Sequence, residues 1–263
     1  MENPYNKSTT IAFWTDEYIT KNLLKAHLDP NKDVASRKLK TIKKTVDFID
    51  GLLQEKKVIC DYGCGPGLYT DLLSQKGHKV IGVDVSETSL DYAKKQNESV
   101  EYIEMNYLTD LLNEKIDFGM MIYCDFGAMD PVSQSVFLKN VYYTLKEDGA
   151  FFFDVMSYAW FDKQKEEYKR YKETDGFFIE GDAEVISKTI KYPNLKLVLR
   201  SYDIKGEFEM EYINRDKCYD VDEMRILLED NGFQIVKVYS NTFGKKKTKA
   251  SDTLAFLVEK IKQ

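Results

Sequence analysis

Apolar residues recur at helical spacing in the two stretches that open the chain. From about Thr9 to His27, Ile11, Trp14, Tyr18, Ile19, Leu23 and Leu24 share one face with polar residues between them, which predicts an amphipathic helix. From about Asp33 to Leu53 the same spacing holds for Val34, Leu39, Ile42, Val46, Ile49 and Leu53, with Gly51 near the end. The period then shortens. Apolar runs at Val58–Cys60, Val80–Asp84, Val100–Met105, Ile116–Tyr123 and Ala150–Val155 predict strands, separated by helices over about Leu68–Gln75, Glu87–Gln96 and Ser133–Leu145. Ser86 or Asp84 is placed to cap the second of these, and Glu147-Asp148-Gly149 to stop the third. Strand alternating with helix predicts a parallel sheet flanked by helices, with ligands at the carboxyl ends of its strands.

From Phe177 the pattern becomes period two: EVISKTI, LKLVLRSYDI and EFEMEYINR, broken by Tyr192-Pro193-Asn194 and Lys205-Gly206. Antiparallel strands cannot join a parallel crossover pattern, so a small separate sheet over the active face is expected. A helix from Val221 to Asp230, stopped by Asn231-Gly232, and strands at Phe233–Tyr239 and Thr253–Glu259 complete the chain.

The pattern is interrupted most sharply at VICDYGCGPGLYT, Val58 to Thr70, where a buried strand ends in Asp61 and the backbone passes through Gly63, Gly65 and Gly67. Glycine there permits positive φ and lets a ligand approach the main chain. The spacing is G-x-G-x-G. Leu68 stands where the dinucleotide fingerprint G-x-G-x-x-G has its third glycine, which counts against a dehydrogenase. Val80 to Asp84, about 20 residues on, supplies a second strand ending in a carboxylate, the arrangement used for ribose hydroxyls.

With Asp61 included, the stretch D-x-G-C-G-x-G followed by the acid Asp84 resembles the class I S-adenosylmethionine-dependent methyltransferase family. The resemblance covers about Val58 to Val155 well and the last forty residues loosely. It implies an α/β, Rossmann-like, seven-stranded, mostly parallel sheet closed by a hairpin with one antiparallel strand, in a family that often has N-terminal covering helices; the inserted small antiparallel sheet is read from the period-two pattern and is not diagnostic of the family. The domain division that follows is residues 1–155 with 218–263 as cofactor-binding core, and 156–217 as an inserted lid.

The implied cofactor is S-adenosyl-L-methionine. The residues expected to bind it are Asp61, Gly63, Cys64, Gly65, Gly67, Leu68, Asp84, Val85, Asn106, Tyr107 and Tyr123, with Arg37 offering a guanidinium to its carboxylate. For Asn106 a turn-forming role is the competing reading. Methyl transfer is an in-line displacement that needs alignment in a dry pocket and no covalent residue. If a base takes part, the candidates are His27, Tyr123 and Asp125; for His27, the alternative is a helix cap. Trp14, Asp125 and Tyr202 are the candidate acceptor contacts, with the insert, roughly Phe177 to Arg215, closing the pocket. Asp125 and Asp154 both end strands, but a metal-assisted reaction is the minor reading and no metal is expected. The segment at Tyr123 lacks the Asn-Pro-Pro-Tyr signature of enzymes that methylate nucleobase or amide nitrogens. A small-molecule acceptor with an N or O nucleophile is therefore expected. The rivals are a non-catalytic cofactor-binding protein on the same fold and a nucleotide-dependent oxidoreductase.

Composition adjusts this picture in three places. The 263 residues are 43% hydrophobic and 31% charged, ordinary for a globular chain, and a net charge of −6 disfavours nucleic acid as a partner. No apolar run approaches the ~20 residues of a membrane span and the N-terminus lacks a signal peptide's apolar segment, so a cytoplasmic protein without a membrane partner is expected. Cys60, Cys64, Cys124 and Cys218 show no metal-ligand spacing and are expected to be reduced. The run Lys245-Lys246-Lys247-Thr248-Lys249 reads as a solvated loop between strands.

Overall fold

The computed structural model describes residues 3–7, 9–10 and 13–262. A seven-stranded sheet carries the order β10-β11-β5-β4-β1-β2-β3. Its strands are β1 (Val58–Tyr62), β2 (Lys79–Asp84), β3 (Glu101–Glu104), β4 (Ile116–Met121), β5 (Leu145–Met156), β10 (Phe233–Tyr239) and β11 (Thr253–Lys260). The first five pair in parallel, while β11 runs antiparallel to both β5 and β10. Chain order reverses between β1 and β4, which opens a crevice at their carboxyl ends.

Both faces of this sheet are covered. Phe151 and Phe153 point into one core with Phe126, Phe137 and Phe256, whereas Phe152 points into the other with Ile42, Val46 and Ile49 of α2 (Leu39–Leu53). All three successive phenylalanines are fully buried, which is why β5 reads as a continuous apolar run. Helices α3 (Thr70–Gln75), α4 (Glu87–Gln96), α5 (Pro131–Thr144) and α7 (Val221–Asp230) complete the layers. Ser86 caps α4 by accepting the Ser89 N–H, and Asp220 caps α7 through Glu223 N–H.

A second sheet, order β6-β7-β8-β9, is formed by β6 (Glu167–Thr174), β7 (Asp182–Tyr192), β8 (Leu197–Lys205) and β9 (Glu209–Lys217). The alternation from Phe177 anticipates the last three. It misses β6, whose residues are nearly all exposed and so carry no apolar period, and the short α6 (Tyr158–Lys163).

The N-terminal helices are shorter than their spacing predicts. α1 spans Glu17–Leu28, with Asp16 Oδ1 accepting the Ile19 N–H at 2.9 Å; Ile11, part of the predicted pattern, lies outside the described residues. Phe13 and Trp14 serve a different partner. Phe13 stacks on Tyr212 of β9 at 4.2 Å, and Thr10 N–H donates to Glu211 O on the same strand. The α2 helix begins at Leu39, six residues later than predicted, because Asp33 Oδ1 accepts the Lys38 N–H and holds 33–38 as a loop. Arg37 therefore lies on this strap and not on a helix, and Val34 is 60% exposed instead of inward. The α5 helix stops at Thr144, and Glu147-Asp148-Gly149 falls within β5. The outcome of these shifts is a shared core of Phe13, Ile19 and Leu23 with Phe178, Val185 and Ile204, so N-terminal segment and inserted sheet pack as one cover.

Candidate functional site

The glycine loop is fastened to β2. Gly63 and Cys64 N–H groups both donate to Val83 O, at 2.8 and 3.0 Å. Asp84 then divides its oxygens, Oδ2 accepting Gly65 N–H and Oδ1 accepting Ser86 N–H, each at 2.8 Å. Burial raises the Asp84 pKa and these backbone donors partly offset it. Asp61, at the end of β1, is 2% exposed and its Oδ2 has no hydrogen-bond partner among the described residues. Burial, then Asp84 and Asp125, hold its carboxyl well above the ordinary range.

Strand β4 ends in backbone that side chains rarely adopt: Tyr123 and Cys124 take φ of 91° and 66°. Such strain persists where neighbours over-determine it. Here Asp154 does so. Its Oδ1 accepts the N–H of Tyr123 at 2.8 Å and of Cys124 at 3.0 Å, while its Oδ2 accepts from Arg37 Nη2 at 2.9 Å. The Arg37 guanidinium also lies 4.7 Å from the Tyr123 ring centre. Burial opposes its charge, but Asp154, Cys124 and Tyr69 together outweigh that and raise its pKa.

Asp125 follows and is aimed at the loop, its Oδ2 lying 3.2 Å from where a Cβ on Gly63 would stand. Its pKa is raised to about 7 by burial, then by Asp84 and Asp154. Among the described residues its carboxylate makes no hydrogen bond. His27, in the last turn of α1, does not act as a cap: its Nδ1 is 2.7 Å from Ser36 Oγ on the strap, and its ring lies against Gly65. Burial lowers its pKa to about 4, so it is neutral near pH 7.

These groups line one cavity of about 610 Å³. Of the sequence candidates it brings together Asp61, Gly63, Cys64, Gly65, Leu68, Asp84, Arg37, Tyr123, Asp125, His27 and Trp14. Five others are not at its wall. A Cβ on Gly67 would stand 2.3 Å from Tyr102 Oη, so this glycine makes room for a tyrosine that bonds Thr70 and Asp71. Val85 is absent from the lining. Asn106 is exposed with its Oδ1 accepting the Leu108 N–H, the turn role. Tyr107 packs edge-on to Phe137 in the core. Tyr202 is one strand away, and its partner across the ladder, Tyr212, lines the cavity instead.

The sequence reading also missed Tyr69, Trp160, Arg200 and Asp216 as wall residues. The period-two order of Tyr212, Asn214 and Asp216 on β9 was a usable signal, since all three face the cavity. Arg200 bonds Asp216 and lies 5.4 Å from the Trp160 ring centre. Cation-ligand chemistry has little to work with: among the described residues no group of three or more His, Cys, Asp or Glu converges, and Asp154 has both oxygens committed.

The donor set suits a ligand with an ammonium, a sulfonium, a carboxylate and a ribose. Two buried polar atoms on the wall, Asp61 Oδ2 and Tyr69 Oη, have no hydrogen-bond partner among the described residues. Arg37 Nε and Nη1 make no hydrogen bond among the described residues, and Asp84 accepts only one bond at each oxygen.

Residues 59–149 match the model of a methyltransferase domain. A Geobacillus sp. (strain WCH70) protein, named only provisionally as a methyltransferase, is 25% identical over 95% of this chain and 98% of its own length. Among solved structures, an S-adenosylmethionine-dependent methyltransferase from Clostridium acetobutylicum superposes with a TM-score of 0.65 at 20% identity, covering 92% of this chain and 96% of that one. The CcbJ methyltransferase from Streptomyces caelestis gives 0.71 at 14% identity, over 94% and 100%.

Proposed function

We propose that this chain, whose residues 59–149 match a methyltransferase domain, is a class I S-adenosylmethionine-dependent methyltransferase that passes the cofactor's methyl group to the N or O atom of a small-molecule acceptor held in the same cavity. The observation that carries this reading is that one cavity joins the glycine loop and Asp84 to aromatic and charged side chains of the inserted sheet. One end has the groups for a nucleoside, the other a separate wall for a second molecule.

In this reading Asp84 accepts from the ribose hydroxyls, Asp61 faces the ammonium, and Arg37 offers Nε and Nη1 to the carboxylate. The cofactor supplies the electrophilic methyl on its sulfonium. What the chain adds is alignment and exclusion of water, since displacement depends on holding nucleophile and methyl in line. Phe13, Trp14, Trp160 and Tyr212 form the apolar walls, with residues 156–217 as the lid. Asp125, near neutrality in its pKa, is the group at the wall best suited to take a proton from an acceptor hydroxyl or ammonium.

Calorimetry with S-adenosylmethionine, S-adenosylhomocysteine and NAD tests the first half. Binding of the first two is expected, and binding of NAD alone would overturn the reading. A screen of acceptor libraries with a labelled methyl donor tests the second half, with label expected in an amine or alcohol; label confined to protein or RNA would exclude the small-molecule acceptor.

A further inference from the structure

The lysine run between β10 and β11 acquires neighbours in the fold. The loop packs on α2: Thr242 Oγ1 meets Thr45 Oγ1 at 2.8 Å, a Cβ on Gly244 would contact the Phe48 ring, and Lys44 Nζ sits 5.5 Å from the Phe243 ring centre. Exposed Lys40, Lys43 and Lys44 on α2 therefore join exposed Lys245, Lys246, Lys247 and Lys249 on one face. Among the described residues none of the seven makes an ion pair with a carboxylate. Lysines elsewhere commonly do, as Lys76 with Asp47 and Lys163 with Asp252. A segregated, unneutralised positive face on a chain of net charge −6 is not the average surface of this protein.

The face also has a position. Ser157, just beyond β5, donates its N–H to Asp252 O and its Oγ–H to Ser251 O, which fixes the loop at the carboxyl edge of the sheet. The strap that leads into α2 reaches the same edge through Arg37 and Asp154. At this edge large apolar side chains are left in solvent: Trp14 is 49% exposed, Val34 60% and Leu39 39%, and Trp14 and Val34 line the cavity.

We infer that this face docks on an anionic lipid surface, with the cavity mouth turned toward it. Lysines act as point charges for a diffuse layer of headgroups, and each one brought to such a surface is worth roughly fivefold in affinity. Exposed Trp14, Val34 and Leu39 at the same edge supply the apolar contact that an interfacial protein sinks into the headgroup region. RNA is a poorer match: the patch has no arginine to fork onto phosphate or base, and no exposed aromatic ring among the lysines for stacking. The attachment is peripheral, since no helix among the described residues is long and apolar enough to cross a membrane.

The test is sedimentation of the full chain with phosphatidylcholine vesicles, with and without phosphatidylserine, at low and high salt. Fluorescence polarisation of a labelled oligouridylate runs in parallel. Binding is expected only with phosphatidylserine, and it should disappear at high salt. The variant K245E/K246E/K247E should bind those vesicles at least about a hundredfold more weakly while keeping its melting temperature and its calorimetric affinity for S-adenosylmethionine. K40E/K43E and L39D should each weaken vesicle binding independently. The inference is overturned by equal sedimentation with both vesicle types, by none with either, by unchanged binding of the triple variant, or by oligouridylate binding in the absence of vesicle binding.

Discussion

Asp84 and Asp125 are both carboxylates at the cavity wall, but their surroundings set them different tasks. Asp84 is held by two backbone N–H groups and stays oriented toward the loop. Asp84→Ala should weaken S-adenosylmethionine binding by roughly 1.5 to 3 kcal/mol, through lost charge-assisted hydrogen bonds, without unfolding the chain. Calorimetry on the folded variant checks this; wild-type affinity would remove Asp84 from the ribose site. Asp125 has no such donors, and its folded pKa of about 7 lies well above the 3.8 of an ordinary aspartate. The folded state thus binds the proton more tightly than the unfolded state, so the stability Asp125 confers is complete below about pH 4 and is lost as pH rises through 7. Asp125→Asn should flatten that part of the urea-stability profile. His27 has the opposite sign: with a folded pKa of about 4 against 6.5, it contributes stability above pH 6.5 that is lost as pH falls toward 4, and His27→Asn should remove that loss.

Among elements, the strap 33–38 has neither helix nor strand and is held at Asp33 and at Arg37. Its Arg37 reaches across to Asp154, 1% exposed, which at the same time holds the strained Tyr123–Cys124 backbone. Removing one member of a buried pair leaves the other charge uncompensated, so Asp154→Ala should lower unfolding free energy by about 3 to 5 kcal/mol in urea denaturation. It should also free the loop after β4. In the glycine loop, Gly67→Ala would put a Cβ 2.3 Å from Tyr102 Oη at a φ of +82°, and a loss of at least about 1 kcal/mol is expected. Tyr102→Phe in the same chain should recover part of it. Full recovery would assign the cost to the hydroxyl contact, and none to the backbone conformation.

At the scale of the whole molecule, the cavity concentrates Asp61, Asp84 and Asp125 beneath a cover built from the N-terminal segment and the inserted sheet. A bound sulfonium and ammonium favour the ionised form of Asp125, so cofactor binding should release protons near pH 6 to 7 and tighten as pH rises to 8. Calorimetry in buffers of differing ionisation enthalpy reads this, and pH-independent binding would separate Asp125 from the cationic end of the site. From Val58 onward the order of strands and helices, apart from α6 and β6, was legible in the sequence, because buried strands and amphipathic helices carry different periods. The placement of Asp61, Gly63, Gly65 and Asp84 at the cavity wall was legible too, since it depends on local backbone and on fixed spacing. The helix starts at Glu17 and Leu39, the partnership of Phe13 with Tyr212, and Arg37 with Asp154 were not. Apolar spacing says that a side chain needs burial, not which element will bury it. Gly67, Asn106 and Tyr202 illustrate the same limit, each with a residue type suited to the site but a neighbour that claims it for packing or a turn. Local chemistry was set along the chain. Which distant residues complete the cavity wall, and which lysines gather beside it, was decided only when strap, insert and hairpin loop met at one edge of the sheet, because contacts across 94 or 117 residues leave no period to read.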